Sequence, residues 1–157
     1  MQIKIEHNTK ELLTVGVIAT AIIATLLAFS VSDLQVLAQQ DRVLVHINSG
    51  KPSNPDEVHA AFMGMSMATK LQETGKDVAV FLDVNGVNLG VKNPDASLEN
   101  ATSLVQTFTS NGGKVYACEH CLSYTGFNEQ DLAEGVSITN PQKMSEIMTG
   151  NLIVIDY

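Results

Sequence analysis

The stretch Gly112-Gly113-Lys114-Val115-Tyr116-Ala117-Cys118-Glu119-His120-Cys121 decides the fold and points to the chemistry. Paired glycines close a helix over Ser97 to Asn111, Lys114 to Ala117 reads as a strand, and a C-x-x-C follows at once. The chain has only two cysteines, and both are here. Two thiols at this spacing can form a redox disulfide, hold a soft metal, or pair one reactive thiolate with a resolving neighbour. The blander reading is two inert, small apolar residues in a buried turn. A strand-to-helix turn argues against it, because its amide N–H groups favour a thiolate. His120, in the same loop, is a candidate to tune that thiolate.

Outward from this stretch, strands and helices alternate. Arg42 to Ile47 is a β-branched run and reads as the first strand. Asn54 can cap a helix, with Pro55 in its first turn and Asp56 and Glu57 favourable to its dipole. That helix runs to Thr74, and Gly75 ends it. Asp77 to Leu82 is the second strand. After the cysteines, Asn128 caps a short helix through Glu134, Val136 to Ile138 is a short strand, Asn140-Pro141 opens a helix that ends at Gly150, and Leu152 to Ile155 is the last strand. Apolar strands alternating with helices belong in an α/β fold: an open parallel sheet of about five strands with helices on both faces. In such a sheet, ligands gather at the carboxyl ends of the strands. Asn48, Ser49, Asp83 and Asn85 therefore become the expected neighbours of the thiols, although a plain strand-end turn residue is the simpler reading of Asp83.

At the other end, Leu12 to Phe29 is apolar and uncharged. A helix of that length is just long enough to span a hydrocarbon core, which needs roughly 18–20 residues. Lys4 and Lys10 precede it, offset by Glu6 and Glu11, and Val36-Leu37-Ala38 resembles a signal-peptidase site. The segment reads as a signal anchor or a cleaved signal peptide. Residues 1–38 then form the signal or anchor plus linker, and residues 39–157 the domain, placed outside the cytoplasm, membrane-anchored or secreted. The net charge is −8 at pH 7 and no basic patch occurs, which argues against nucleic acid as a partner. There is no tryptophan to stack a sugar, and no P-loop or G-x-S-x-G. Asn100-Ala101-Thr102 is a glycosylation sequon on an expected helix, where chance is the simpler explanation.

The residues from Arg42 to Tyr157 resemble the DsrE-like family, the small sulfur-relay proteins of the DsrE, TusD and YchN type. The resemblance is carried by Ala60-Ala61-Phe62-Met63-Gly64-Met65, by Gly75-Lys76-Asp77-Val78-Ala79-Val80-Phe81-Leu82, by Asp83-Val84-Asn85-Gly86-Val87, by Gly112 through Cys118, and by Gly126. It implies that Cys118 carries a persulfide, that Cys121 matches a second cysteine of the YchN-like branch, and that protomers associate as trimers or hexamers. Thr125 stands where that branch often has arginine, and the familiar members are cytoplasmic, whereas this chain carries an export segment.

Three functions follow. The first is an extracytoplasmic sulfur (persulfide) carrier or sulfurtransferase-like protein, with Cys118 as nucleophile, Cys121 resolving and His120 tuning, working with a thiol or sulfur-carrier partner protein. The second is a Cu(I)-binding protein using Cys118 and Cys121 with His120 or a methionine as metal ligands. The third is a structural subunit of a membrane complex. His59, Met63 and Met67 share one helical face with soft ligands, but core or subunit-interface filler is the blander reading of the methionines. His46, inside the first strand, is expected to be a satisfied core histidine.

Overall fold

The structure is a computed structural model that describes residues 41–157. The expected membrane or signal segment at Leu12 to Phe29, and the expected boundary between residues 38 and 39, lie outside the described residues.

The first strand, β1, is Arg42–Ile47. Asn54 then caps helix α1, Pro55–Glu73, its side chain accepting from the Asp56 N–H, with Pro55 in the first turn where no N–H is needed. Strand β2 is Asp77–Leu82. Two short 3₁₀ turns, Gly86–Gly90 and Ala96–Leu98, lead to helix α2, Glu99–Ser110. Strand β3, Lys114–Cys118, runs straight into helix α3, Glu119–Thr125. Strand β4 is Val136–Thr139, helix α4 is Pro141–Ile147, and strand β5 is Leu152–Asp156. All pairings are parallel, in the order β4-β3-β2-β1-β5.

The two faces of this sheet are covered unequally. From β1 to β4 the chain steps in one direction, so right-handed crossovers put α1, α2 and α3 on one face. There Val43, Val45, Ile47, Val78, Val80, Leu82 and Val115 pack with Ala61, Met65, Val105 and Phe108 of α1 and α2. The step from β4 to β5 reverses direction and sends α4 over the other face. That face has a smaller cluster, Leu44 and Ala79 against Ile147, with Met144, Phe81 and Tyr116 at its border.

Three elements depart from the sequence expectation. The C-x-x-C is not in a loop: α3 begins directly after Cys118. The helix expected from Asn128 to Glu134 is a single 3₁₀ turn, Glu129–Asp131, although Asn128 does form its capping box with Asp131. Leu132 leaves helical geometry because its backbone bridges to Val91 and its side chain enters the core. The last helix stops at Ile147, not Gly150, and Ile147 is buried under the sheet.

The loops at the carboxyl edge are drawn tightly together. Glu57, in the first turn of α1, accepts from the Lys51 N–H at 3.1 Å, from Asn54 Nδ2 at 3.1 Å and from Asn85 Nδ2 at 2.8 Å. The Asp83 N–H reaches the Ile47 carbonyl and the Asn85 N–H reaches the Asn48 carbonyl. This brings the backbone of Gly86 against β1, where a Cβ would stand 2.0 Å from the Ile47 carbonyl oxygen. The offending atom is backbone, so the sheet itself must shift to admit a methyl group. Gly86→Ala should therefore destabilise the domain by about 2–4 kcal/mol, as overpacking against a rigid element does. Chemical denaturation will measure it; a midpoint within error of the wild type would contradict the close approach.

Candidate functional site

Cys118 is the last residue of β3, and alternation along the strand assigns its side chain. Val115 faces the large core and Ala117 the cluster beneath α3, so alternation turns Tyr116 and Cys118 toward the α4 side, and Cys118, at the strand's end, also touches the α3 cluster. Cys118 lines a cleft of about 450 Å³ there, with Phe81, His120, Ser123, Thr139, Pro141 and Met144. It also holds the N-cap position of α3 in extended geometry, but its side chain makes no capping bond to the helix amides.

Cys121 lies one turn into α3 and is half-buried with Cys118 against Val87, Ala117, Leu122 and Leu132. Neither cysteine is in a disulfide. Burial pushes the Cys121 thiol up to about 11, and its bond to Cys118 pushes the same way. The Val84 backbone N–H opposes this by its interaction with the Cys121 sulfur, while Coulomb interactions with Cys118 and Asp83 add to the rise. At neutral pH, Cys121 therefore keeps its proton beside Cys118. The two thiols are not equivalent: one faces a cleft, and the other is a protonated donor behind it.

Val84 itself is unusual. It is a β-branched residue with φ +46°, the one non-glycine in that region among the described residues. The Gly86 N–H bonds the Asp83 carbonyl at 2.7 Å, and Asn85 has φ −80° and ψ −19°. Those values match a type II′ turn with Val84 at the position that glycine normally takes. Such a conformation costs about 1–3 kcal/mol and persists only where the surroundings impose it.

The sequence expectation for His46 does not hold. It is on β1 at the carboxyl edge, on the same sheet face as Cys118, with Phe81 stacked on it at 5.4 Å between ring centres. Its Nδ1 is 2.6 Å from Asp156 Oδ1. Its Nε2 is 2.9 Å from Asp83 Oδ1, but off the hydrogen-bonding direction, so both atoms are shut from solvent without a hydrogen-bond partner. Burial lowers the His46 pKa, yet the Asp156 hydrogen bond, the close Asp83 contact and the charges of both carboxylates outweigh it and raise the pKa above 6.5 overall.

The remaining candidates separate. His120 is on α3, not in a loop; it is exposed and lines the cleft with Cys118. Asn48, Ser49 and Asn85 serve the loop network instead: Ser49 bonds Asn48 and Asn85 bonds Glu57. Thr125 caps α3 from within, donating to the Cys121 and Leu122 carbonyls. On α1, Met65 is fully buried as core filler, while Met63 and Met67 are exposed. His59 borders a separate groove with Phe62 and Asn100. Among the described residues, no three His, Cys, Asp or Glu side chains converge as a set that could hold a metal ion. Sequence reasoning missed His46 and Val84. One signal was available: the apolar strands carry single polar residues at their carboxyl ends, His46, Asp83, Cys118 and Asp156, and these four share an edge.

An open parallel sheet with a thiol pair at its carboxyl edge defines a small α/β thiol protein. The model of the DsrE/DsrF-like family matches residues 42–151, and the chain belongs to that family. The E. coli protein YchN has the same fold, with a TM-score of 0.61 and 20% identity over 75% of this chain and 99% of that one. So does MTH1491 of Methanobacterium thermoautotrophicum, with a TM-score of 0.57 and 20% identity over 75% of this chain and all of that one. MJ0760 of Methanocaldococcus jannaschii is 29% identical over 97 residues, which is 59% of this chain and 34% of that protein. The chain thus spans about a third of that relative's length.

The raised His46 pKa has a consequence for stability. The folded state holds its proton more tightly than the unfolded chain, so the contribution is full below about pH 6.5 and is lost as pH rises through the folded pKa. The thermal midpoint should fall across that window, and His46→Gln should flatten the fall. A midpoint insensitive to pH from 6 to 8 in the wild type would count against the two-carboxylate grip.

Proposed function

We propose that this protein is an extracytoplasmic DsrE-like sulfur carrier in which Cys118 holds the transferable atom. The observation that carries the reading is the asymmetry of the thiols: Cys118 opens on a cleft, and Cys121 is a half-buried, protonated donor to it. In loading, the Cys118 thiolate attacks the outer sulfur of a donor persulfide. A new S–S bond forms at Cys118, the donor's S–S bond breaks, and the donor leaves as a thiolate. An acceptor thiolate unloads it by the same exchange.

The thiol of Cys121 governs leakage. Its thiolate can attack the inner Cys118 sulfur, forming a Cys118–Cys121 disulfide and expelling hydrosulfide, so two thiols are oxidised as the sulfane sulfur is reduced. Burial holds the Cys121 proton at neutral pH, so its thiolate is scarce. Discharge is slow, and the sulfur is retained until an acceptor arrives. This suits a carrier.

The apolar Leu12 to Phe29 segment supports an export signal or anchor that places residues 39–157 outside the cytoplasm. Partners there would be a thiol or sulfur-carrier protein and further copies of this chain, as trimers or hexamers.

Mass spectrometry of the protein incubated with a persulfide donor tests the reading. The wild type should gain one sulfur atom that reductant removes. Cys118→Ser should abolish the adduct, while Cys121→Ser should keep it without hydrosulfide release. Bound Cu(I) lost equally in both variants, with no sulfur adduct in the wild type, would sink the carrier reading and favour a two-thiolate copper site. Hydrosulfide release from the loaded wild type should also rise steeply with pH from about 7 toward 10, following the Cys121 thiolate. A pH-independent release would remove Cys121 from the resolving role.

A further inference from the structure

We propose that His46 is a positioning residue for the thiol pair: clamped between Asp156 and Asp83, it fixes the Asp83–Gly86 turn that aims the Val84 N–H at the Cys121 sulfur, and its charge sets how readily Cys121 can discharge Cys118. The discharge clause rests on the carrier reading; the positioning does not.

The structural chain is short and continuous. Asp156 comes from β5, the edge strand, and reaches His46 Nδ1 at 2.6 Å. His46 Nε2 faces Asp83 Oδ1 at 2.9 Å, both atoms buried and otherwise without a partner. Asp83 is the first residue of the turn, and Val84 the second. The Val84 conformation needs an imposed cause; besides the backbone bonds from Asp83 to Ile47 and from Asn85 to Asn48, three are visible. Glu57 and Asn85 hold one end of the turn at 2.8 Å, Gly86 is pressed on the Ile47 carbonyl, and the imidazole stands against the Asp83 carboxylate. The first two pin the later part of the turn. The histidine alone holds the side chain at its start.

The same contact is electrical. Asp83 carries a negative charge that opposes ionisation of Cys121. A protonated His46 offsets that charge, and a neutral one leaves it bare. The charged groups that face His46 are Asp83 beyond β2 and Asp156 on β5. Phe81 of β2 supplies an aromatic ring. Helix α4, over the same sheet face, brings Lys143 and Glu146, and Lys143 lies 5.6 Å over the ring of Tyr116 on β3. Glu119 and His120 of α3 lie across the cleft.

The test is the pH dependence of thiol labelling in the full chain. A methanethiosulfonate reagent is applied in short pulses between pH 5.5 and 9, and Cys121 modification is read by peptide mass spectrometry. A lone thiol labels about tenfold faster per pH unit. The wild type should show a shoulder in that rise, centred above pH 6.5, where loss of the His46 proton slows Cys121 by about two- to fivefold relative to the extrapolated line. His46→Gln should remove the shoulder. Asp156→Asn, which keeps the imidazole beside Asp83 but withdraws the outer carboxylate, should move it to lower pH. A wild type without a shoulder overturns the proposal, as does a shoulder that survives in His46→Gln. If His46→Gln does not fold, an unmoved shoulder in Asp156→Asn overturns it alone. Labelling needs no sulfur donor, so failure to load a persulfide would count against the carrier reading and leave this result standing.

Discussion

A parallel strand pair cannot be closed by a tight turn, and this constraint organises the whole domain. Each return from the carboxyl end to the amino end must cross a face of the sheet, and here helices make the crossings. All five carboxyl ends therefore stand at one edge, whatever their order in the chain. His46, Asp83, Cys118 and Asp156 come from four different parts of the sequence. They share an edge because each is the polar residue that ends, or nearly ends, an apolar strand. The direction of the crossovers adds the second condition. Three steps to one side place three helices together, and among the described residues the single reversal leaves the other face to α4. That helix has seven residues and cannot cover five strands. The cleft on which Cys118 opens lies at the carboxyl edge, between the starts of α3 and α4.

The elements that were legible in the sequence are those whose signals are local. The apolar runs of β1, β2 and β5, the Asn54-Pro55 start of α1 and the glycines closing α2 each depend on neighbours within a few residues. Helix α3 was not legible. Its seven residues, Glu119 to Thr125, are too few to show a period, and the helix is held by Leu122 in a pocket built by Val87, Ala117 and Leu132. The overextended reading after Asn128 failed for a related reason. The cap was correctly read, but the bridge between Val91 and Leu132 claims backbone that a helix would need, and that bridge joins residues distant in sequence.

The site divided along the same line. Cys118, Cys121 and His120 are adjacent in the chain, so a spacing motif found them. The His46–Asp156 contact joins residues 110 apart, and it exists only because β5 pairs with β1 on the far side from β2. No pattern in β1 announces that order. Val84 was hidden in another way. A type II′ turn is normally betrayed by glycine, and the chain places a β-branched residue there.

Packing and reactivity meet at Cys121. The apolar cluster that anchors α3 beneath β3 is also what strips water from that thiol, and loss of water is the largest influence holding its proton. A helix start alone would favour the opposite outcome, because its free amides stabilise a thiolate. Here α3 is short, its first N–H groups receive no bond from the Cys118 side chain, and the one amide donated to a thiol comes from the turn after β2. That single donor lowers the Cys121 pKa without reversing the effect of burial. The balance between them rests on a turn whose backbone is strained and whose first carboxylate is held by a histidine. A change that relaxed the turn would loosen the carboxyl-edge loops that press on β1. It would also withdraw the one amide, among the described residues, that works against the buried proton, so the chemistry of the pair depends on that turn.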